Sequence, residues 1–459
     1  MPANTETKEK QNMSEGITAR LARDLRAIEK LSAEDTERLR LLILDFFAAA
    51  CAGYRVNRDF NEAIEKTVLP QGGEAESFVL FSETKYPART AAFVNTVYGH
   101  GAELDDGNKR AAGHAGVFLI PSVFALADKL GSSNEDVLIA LATGYEAFVR
   151  ISSAAVPGLI RRGFHSTGMT GTLAAAAACA RLYHLDAQGI EDAIALATTM
   201  TGGLLSYGDS RPAIKPLNPA NAASNGMFAA MLAAEGVRGP AEALEGKNGW
   251  FHAVTDSVNE KCLEGSGHLL IHDCYIKLYP SCRHTHCGID AAATLRKSVK
   301  AEDIQEVRVY IYPDAIRLAG IKMPSDKDET KFSVYYTIAR TLISGNYGLS
   351  EMDISNLTPE TAELIDAIKL IPDESMEDRE KGIRGARVEI LDKNGETYTK
   401  EVTVPKGDPE NPVTGEEVIE KLRSCADGVV SDDTLEELIR RVRSIGGEDT
   451  FIDPVALMR

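Results

Sequence analysis

The stretch Tyr279-Pro280-Ser281-Cys282-Arg283-His284-Thr285-His286 places one guanidinium and two imidazoles within four residues behind a proline. A guanidinium grips a carboxylate through paired N–H donors, and an imidazole moves a proton near neutral pH. Two further histidines, His114 and His165, stand in Gly-rich loops directly before apolar, Ala-rich helices, and Lys215 precedes a third such helix. Four cationic or imidazole loops of this kind predict one converged site.

Each loop has a sharper and a plainer reading. In Gly101-Ala102-Glu103-Leu104-Asp105-Asp106-Gly107 the carboxylates sit on a loop or frayed helix end, and His114 follows Asp106 by eight residues, close enough to be oriented by it. The plainer reading is a solvated turn with a surface histidine. Gly163-Phe164-His165-Ser166-Thr167-Gly168 opens a helix, so an anion beside the imidazole would meet free backbone N–H groups. The alternative is a histidine that caps its helix; His165 is nonetheless the first choice for a catalytic residue. Ile214-Lys215-Pro216-Leu217-Asn218-Pro219 reads as an extended segment, an Asn cap and a Pro in the first helical turn. Lys215 is either solvated or an anchor for a substrate carboxylate. His284 and His286, at spacing i and i+2, suit a strand or loop, and no second pair stands nearby to complete a zinc site. Cys282 and Cys287 read as small buried residues before nucleophiles.

Other chemistry lacks its signatures. There is no Walker loop, no G-x-S-x-G elbow and no iron–sulfur cysteine set, and Gly265-Ser266-Gly267 lacks the third glycine and acidic partner of a dinucleotide fold. Acid–base chemistry without a cofactor or metal is what the residues support.

The 459 residues exceed what a single core usually reaches, so two domains are expected, one of them inserted in the other. A formal net charge of −18 argues against nucleic acid or an anionic membrane as partner, and no basic run is longer than Arg161-Arg162. An anionic substrate would need local cations against that field, and Lys215, Lys277 and Arg283 could supply them. Seven cysteines, an odd number with no C-x-x-C pair, favour a reduced, cytoplasmic compartment over a disulfide scaffold. Residues 1–17 lack a secretory apolar core and read as a disordered tail, and no uninterrupted apolar run approaches membrane-spanning length.

Apolar periodicity predicts helices from a capping box at Ser32 to Gly53, then over 91–98, 121–130, 134–151, 168–182, 189–199 and 219–235. After about residue 275 the pattern changes. Residues 307–312 alternate like a half-buried strand, 386–391 and 397–404 flank Asp392-Lys393-Asn394-Gly395 as a hairpin, and 330–342 and 359–367 look helical. Helices return at 415–426 and 432–444.

Taken together, Glu103-Leu104-Asp105-Asp106 with His114-Ala115-Gly116, Gly163-Phe164-His165, Lys215-Pro216-Leu217 leading to Asn221-Ala222-Ala223, and Lys277-Leu278-Tyr279-Pro280-Ser281-Cys282 resemble the MmgE/PrpD family. That family includes 2-methylcitrate dehydratase, cis-aconitate decarboxylase and iminodisuccinate epimerase. The resemblance implies a mainly α fold: a large helical domain from both chain ends (18–274 plus 405–459), an inserted smaller α+β lid domain (275–404), a homodimer and a cofactor-free site at the domain cleft. Carried over by position, His114 and His165 would transfer protons or bind substrate, and Lys215 and Lys277 would bind carboxylates. Glu103 would stand where decarboxylase-like members carry an aspartate. The sequence departs from those members at Gly107, where they have threonine, at Cys282, where animal members have histidine, and in a loop to His114 one residue longer.

The sequence therefore predicts a dehydratase acting on a small di- or tricarboxylate. His165 would be the base or its partner, His114 the opposite acid and Lys215 a catalytic cation, with Glu103, Asp105, Lys277, Cys282, Arg283, His284 and His286 lining the substrate. The same groups could epimerise an amino- or imino-dicarboxylate or release carbon dioxide. A non-catalytic carboxylate-binding protein on the same fold is the alternative of a different class.

Overall fold

The computed structural model describes residues 16–206, 214–378 and 382–459. Most of the expected tail, residues 1–15, lies outside the described residues. The structure is mainly helical, with small sheets. The longer helices, in chain order, are α1 (Ile17–Arg26), α2 (Ala33–Val56), α3 (Arg58–Val68), α4 (Ala88–His100), α5 (Gly116–Leu130), α6 (Asn134–Ala155), α7 (Ser166–Leu182), α8 (Ala187–Ala197), α9 (Leu217–Ala234), α10 (His286–Leu295), α11 (Val334–Ser344), α12 (Pro359–Ala367), α13 (Gly415–Ala426) and α14 (Asp432–Ser444). The main strands are β1 (Ile304–Ile311), β2 (Ile368–Pro372), β3 (Ala386–Asp392) and β4 (Thr397–Val402).

The chain divides into two compact units. Unit 1 comprises Met1–Gly101, Asp105–Cys274 and Val418–Arg459; unit 2 comprises Ala102–Leu104 and Tyr275–Glu417.

Helix starts in unit 1 follow local chemistry. Ser32 and Ser133 both close capping boxes, with Asp35 and Asp136 as the reciprocal partners, which satisfies N–H groups that a helix leaves unbonded. Small residues then let the helices approach closely. α7 packs along α9, and a Cβ added at Gly226 of α9 would lie 2.6 Å from the Thr172 carbonyl oxygen and 2.5 Å from the Ala175 Cβ. α5 starts at Gly116, five residues before Pro121, rather than at the proline, so Pro121 lies inside the helix. A proline there forfeits one main-chain bond, and the Ser122 hydroxyl meanwhile donates to the Phe118 carbonyl at 2.8 Å. By length and composition α6 could cross a membrane, but its apolar window is wholly buried inside the protein.

In unit 2 the sheet order is β4-β3-β1-β2. β3 and β4 form the expected hairpin, Ala386 opposite Val402 and Leu391 opposite Thr397. Asp392 Oδ1 accepts from the N–H groups of Asn394 and Glu396 at 2.9 and 2.8 Å, and Gly395 takes the positive φ of 88° that the turn needs. β1 runs antiparallel to β3 and parallel to β2, pairing Val307 with Ile368. α10 covers β3 and β4 and packs on α11, so this unit is α+β.

Candidate active site

In unit 1 two imidazoles meet one carboxylate, and a third stacks on one of them. α4 ends at His100, whose Nδ1 donates to Asp105 Oδ2 at 2.9 Å; His114 Nδ1 lies 3.3 Å from the same oxygen. His114 Nδ1 also donates to the Asp106 main-chain carbonyl at 2.7 Å. The rings of His100 and His114 meet edge to face at 5.1 Å, and those of His100 and His165 stack at 6.1 Å with 28° between planes. His165 is the residue before α7, but its side chain makes no cap bond there; Asn218 Nδ2 donates to its Nδ1 at 3.2 Å.

Asn218 consequently has a different task from the cap expected of it. α9 begins two residues earlier than expected, at Leu217, and places Asn218 in its first turn, where the amide also reaches the Leu204 carbonyl at 3.3 Å. Lys215 lies in the turn just before this helix, and its carbonyl accepts from the Asn218 N–H at 3.2 Å. The start of α9 thus touches His165 through a residue three positions from Lys215.

The carboxylate that faces His114 is Asp105, which corrects the expectation that Asp106 orients it. The Asp106 carboxyl turns the other way: Oδ1 accepts the Gly116 N–H at 3.0 Å and Oδ2 the Tyr145 hydroxyl at 3.0 Å. A Cβ at position 116 would stand 2.7 Å from Asp106 Oδ1 and 2.6 Å from the Tyr145 oxygen, so only glycine admits this approach. Burial, reinforced by the charges of Asp45 and Asp105, pushes the Asp106 carboxyl up to about 8. At neutral pH it holds its proton, and the Asp105 carboxyl is the one that faces the imidazoles. Asp45 is itself buried and ion-paired to Lys421.

Unit 2 holds the other expected residues. Lys277 Nζ donates to the Glu103 carbonyl at 2.9 Å and lies 3.4 Å from its carboxylate, with 1% and 6% of the two side chains exposed. Glu103 adopts a positive φ of 55°, a conformation that turns its carbonyl and carboxylate to one partner. The Arg283 guanidinium binds Asp408 and lies 4.9 Å over the Tyr275 ring. Its Nε and Nη1 are buried with no hydrogen-bond partner among the described residues.

His284 and His286 are not on a strand or open loop: Arg283–Thr285 is a tight 3-10 turn that runs into α10. The Ser281 and Thr285 hydroxyls are 2.7 Å apart across it. His284 Nδ1 is hydrogen-bonded to the Tyr312 hydroxyl, and burial together with Arg384, Arg283, Arg317 and Lys277 pushes its pKa down to about 3. His286 is fully buried, its Nε2 donating to the Ser281 carbonyl at 3.3 Å. Cys282 is half-buried, and its N–H donates to the Lys331 carbonyl at 2.9 Å. Among the described residues no group of three or more His, Cys, Asp or Glu is placed to hold a metal ion.

His100 is the member of the cluster that sequence reasoning passed over. Its signal was present: Gly99-His100-Gly101 frames an imidazole with glycines much as Gly113-His114-Ala115-Gly116 does. Both glycines are needed for packing, since a Cβ at Gly99 would lie 2.8 Å from the Phe46 ring and one at Gly101 3.0 Å from Gly53 Cα.

Comparison with known proteins bears on the same residues. The MmgE/PrpD N-terminal domain matches residues 18–262 and the MmgE/PrpD C-terminal domain residues 279–444. The chain belongs to the MmgE/PrpD family. A cis-aconitate decarboxylase-like protein (oryM) of Aspergillus oryzae is 27% identical over 445 residues, covering 90% of this chain and 91% of that protein. The cis-aconitate decarboxylase of Homo sapiens is 27% identical over 425 residues, 89% of this chain and 87% of that protein. That of Aspergillus terreus is 27% identical over 469 residues, 95% and 94%. All the imidazoles of the cluster lie within the N-terminal family domain.

Proposed function

We propose that this MmgE/PrpD-family protein is a lyase that moves a proton at a carbon beside a carboxylate of a small di- or tricarboxylate, without a cofactor, and that dehydration of a 2-methylcitrate-like substrate is its reaction. The observation that carries the reading is the cluster in which His100 and His114 share Asp105 and His165 stacks on His100.

The hydrogen bonds give the two reacting imidazoles opposite tautomers. A carbonyl oxygen only accepts, so His114 must carry its proton on Nδ1 toward Asp106, which leaves Nε2 as the unprotonated, basic nitrogen. Asn218 donates to His165 Nδ1, so the neutral ring of His165 carries its proton on Nε2 and is a donor. In this reading His114 takes the proton α to the carboxylate, and the neutral His165 Nε2–H hydrogen-bonds the departing hydroxide, which takes up a proton from solvent and leaves as water, an exchange of the roles expected from sequence. Asp105 stabilises the imidazolium as it forms. Lys215, just before α9, supplies a cation that binds a substrate carboxylate and steadies the enolate-like charge.

Decarboxylation is the second reading, favoured by the names of the relatives. It too needs a positioned acid to deliver a proton to carbon. Gly107, where decarboxylase-like members carry threonine, and Cys282, where animal members carry histidine, weigh against decarboxylation. Proton NMR in heavy water with 2-methylcitrate, citrate, cis-aconitate and iminodisuccinate in parallel separates the outcomes. An unsaturated product that keeps every carboxylate supports dehydration, and loss of carbon dioxide selects decarboxylation. Deuterium at a retained stereocentre selects epimerisation, and binding with no exchange in any candidate rejects an enzymatic role.

A further inference from the structure

We propose that His100 is a positioning residue for proton transfer by His114, acting through the Asp105 oxygen that the two imidazoles share; the inference rests on the functional reading above. His100 Nδ1 donates to Asp105 Oδ2 at 2.9 Å, and His114 Nδ1 stands 3.3 Å from that same atom. The carboxylate is therefore held by one ring while it faces the other.

The His100 side chain is fully buried, and its Nε2 has no hydrogen-bond partner among the described residues. A neutral ring leaves only a bare lone pair at that nitrogen. A protonated ring would bury a charged N–H with no acceptor, which is far more costly. His100 is thus a neutral donor: it fixes Oδ2 and draws off part of its charge, so that Asp105 steadies the His114 imidazolium without holding its proton too tightly. The His100 ring also stacks on His165, so one side chain sets the spacing of both reacting rings. Other titratable groups on the His114 side of the cluster include Asp106, bound to Tyr145, and behind it the Asp45–Lys421 pair.

The test uses the full chain with 15N-labelled histidine. In the wild-type protein the His114 resonances should report an Nδ1–H tautomer. His100→Ala should raise the His114 titration midpoint by about half a unit or more, because the carboxylate charge is no longer shared. On the substrate that turns over, it should lower kcat about tenfold or more with KM changed less than about twofold, a fraction of what a proton-transferring side chain supplies. His100→Asn, whose amide nitrogen takes the place of Nδ1, should restore midpoint and kcat, while His100→Gln, which reaches only the position of Nε2, should not. An unchanged midpoint in His100→Ala, equal midpoints in the Asn and Gln variants, or an Nε2–H tautomer at His114 would overturn the proposal. Tautomer and midpoint are read without substrate, so their failure is distinct from a failure of the proposed reaction.

Discussion

Replacing Asp106 with asparagine should remove a pH-dependent weakness from the folded protein. The Asp106 carboxyl is buried, and burial with the neighbouring charges of Asp45 and Asp105 raises its pKa from an ordinary 3.8 to about 8. The native state therefore holds a proton that the unfolded chain has already released. With the folded value above the unfolded one, this contribution is fully present below about pH 4 and is lost progressively as the pH rises to about 8. Across that span, at about 1.4 kcal/mol for each pH unit, the loss amounts to on the order of 5 kcal/mol. Asparagine has the same shape: its Oδ1 can accept the Gly116 N–H and its amide can donate to the Tyr145 oxygen, so both 3.0 Å bonds survive without a titrating proton. Urea unfolding of both proteins from pH 5 to pH 9 measures the difference. The advantage of Asp106→Asn should widen by up to about 1.4 kcal/mol per pH unit as far as about pH 8 and then level off. Parallel curves, or a wild-type protein that gains on the variant as pH rises, would refute the reasoning.

Lys277→Met takes the ammonium away from the buried Glu103 carboxylate and should cost about 3–5 kcal/mol in urea unfolding; adding Glu103→Gln should return about half or more of it, since the pair is then neutral on both sides. Gly226→Ala drives a methyl group against the Thr172 carbonyl and Ala175, and should lower stability by about 1–3 kcal/mol, read as a fall in melting temperature. His284 is held neutral, its pKa pushed down to about 3 by burial and nearby cations, so protonation of the unfolded chain lowers stability as pH falls from about 6.5 toward 3. His284→Asn should lessen that acid sensitivity, and equal losses between pH 7 and pH 4 in both proteins would contradict it.

Where sequence and structure agree, the determinants are local. α12, α13 and α14 begin and end at the residues that the periodicity indicates, because Thr358 and Ser431 cap two of them and apolar side chains recur on one face. β2 was missed because its partner, β1, is some sixty residues away in the chain and parallel to it, so no turn announces the pairing. α10 was hidden behind the polar Arg283-His284-Thr285-His286, which reads as a loop until Ser281 and Thr285 close a turn across it.

The site was legible as a set of residue types and only partly as a geometry. His114 and His165 stand out because loops with glycine precede their helices. His100 ends an apolar helix, where a basic residue has an ordinary explanation in the helix dipole. Whether Asp105 or Asp106 faces His114 depends on side-chain direction in an irregular loop, which spacing along the chain does not specify. The tautomers of His114 and His165 depend on a main-chain carbonyl and on Asn218, neither of which has a motif.

On the proposed function these imidazoles carry a proton between solvent and a substrate carbon. With the substrate found by NMR, deuterium entry at that carbon should be followed for the wild-type protein, His114→Gln and His165→Ala, with binding measured by calorimetry. Each variant should still bind but exchange about a hundredfold more slowly, or slower still. Exchange at the wild-type rate in either variant would contradict that function.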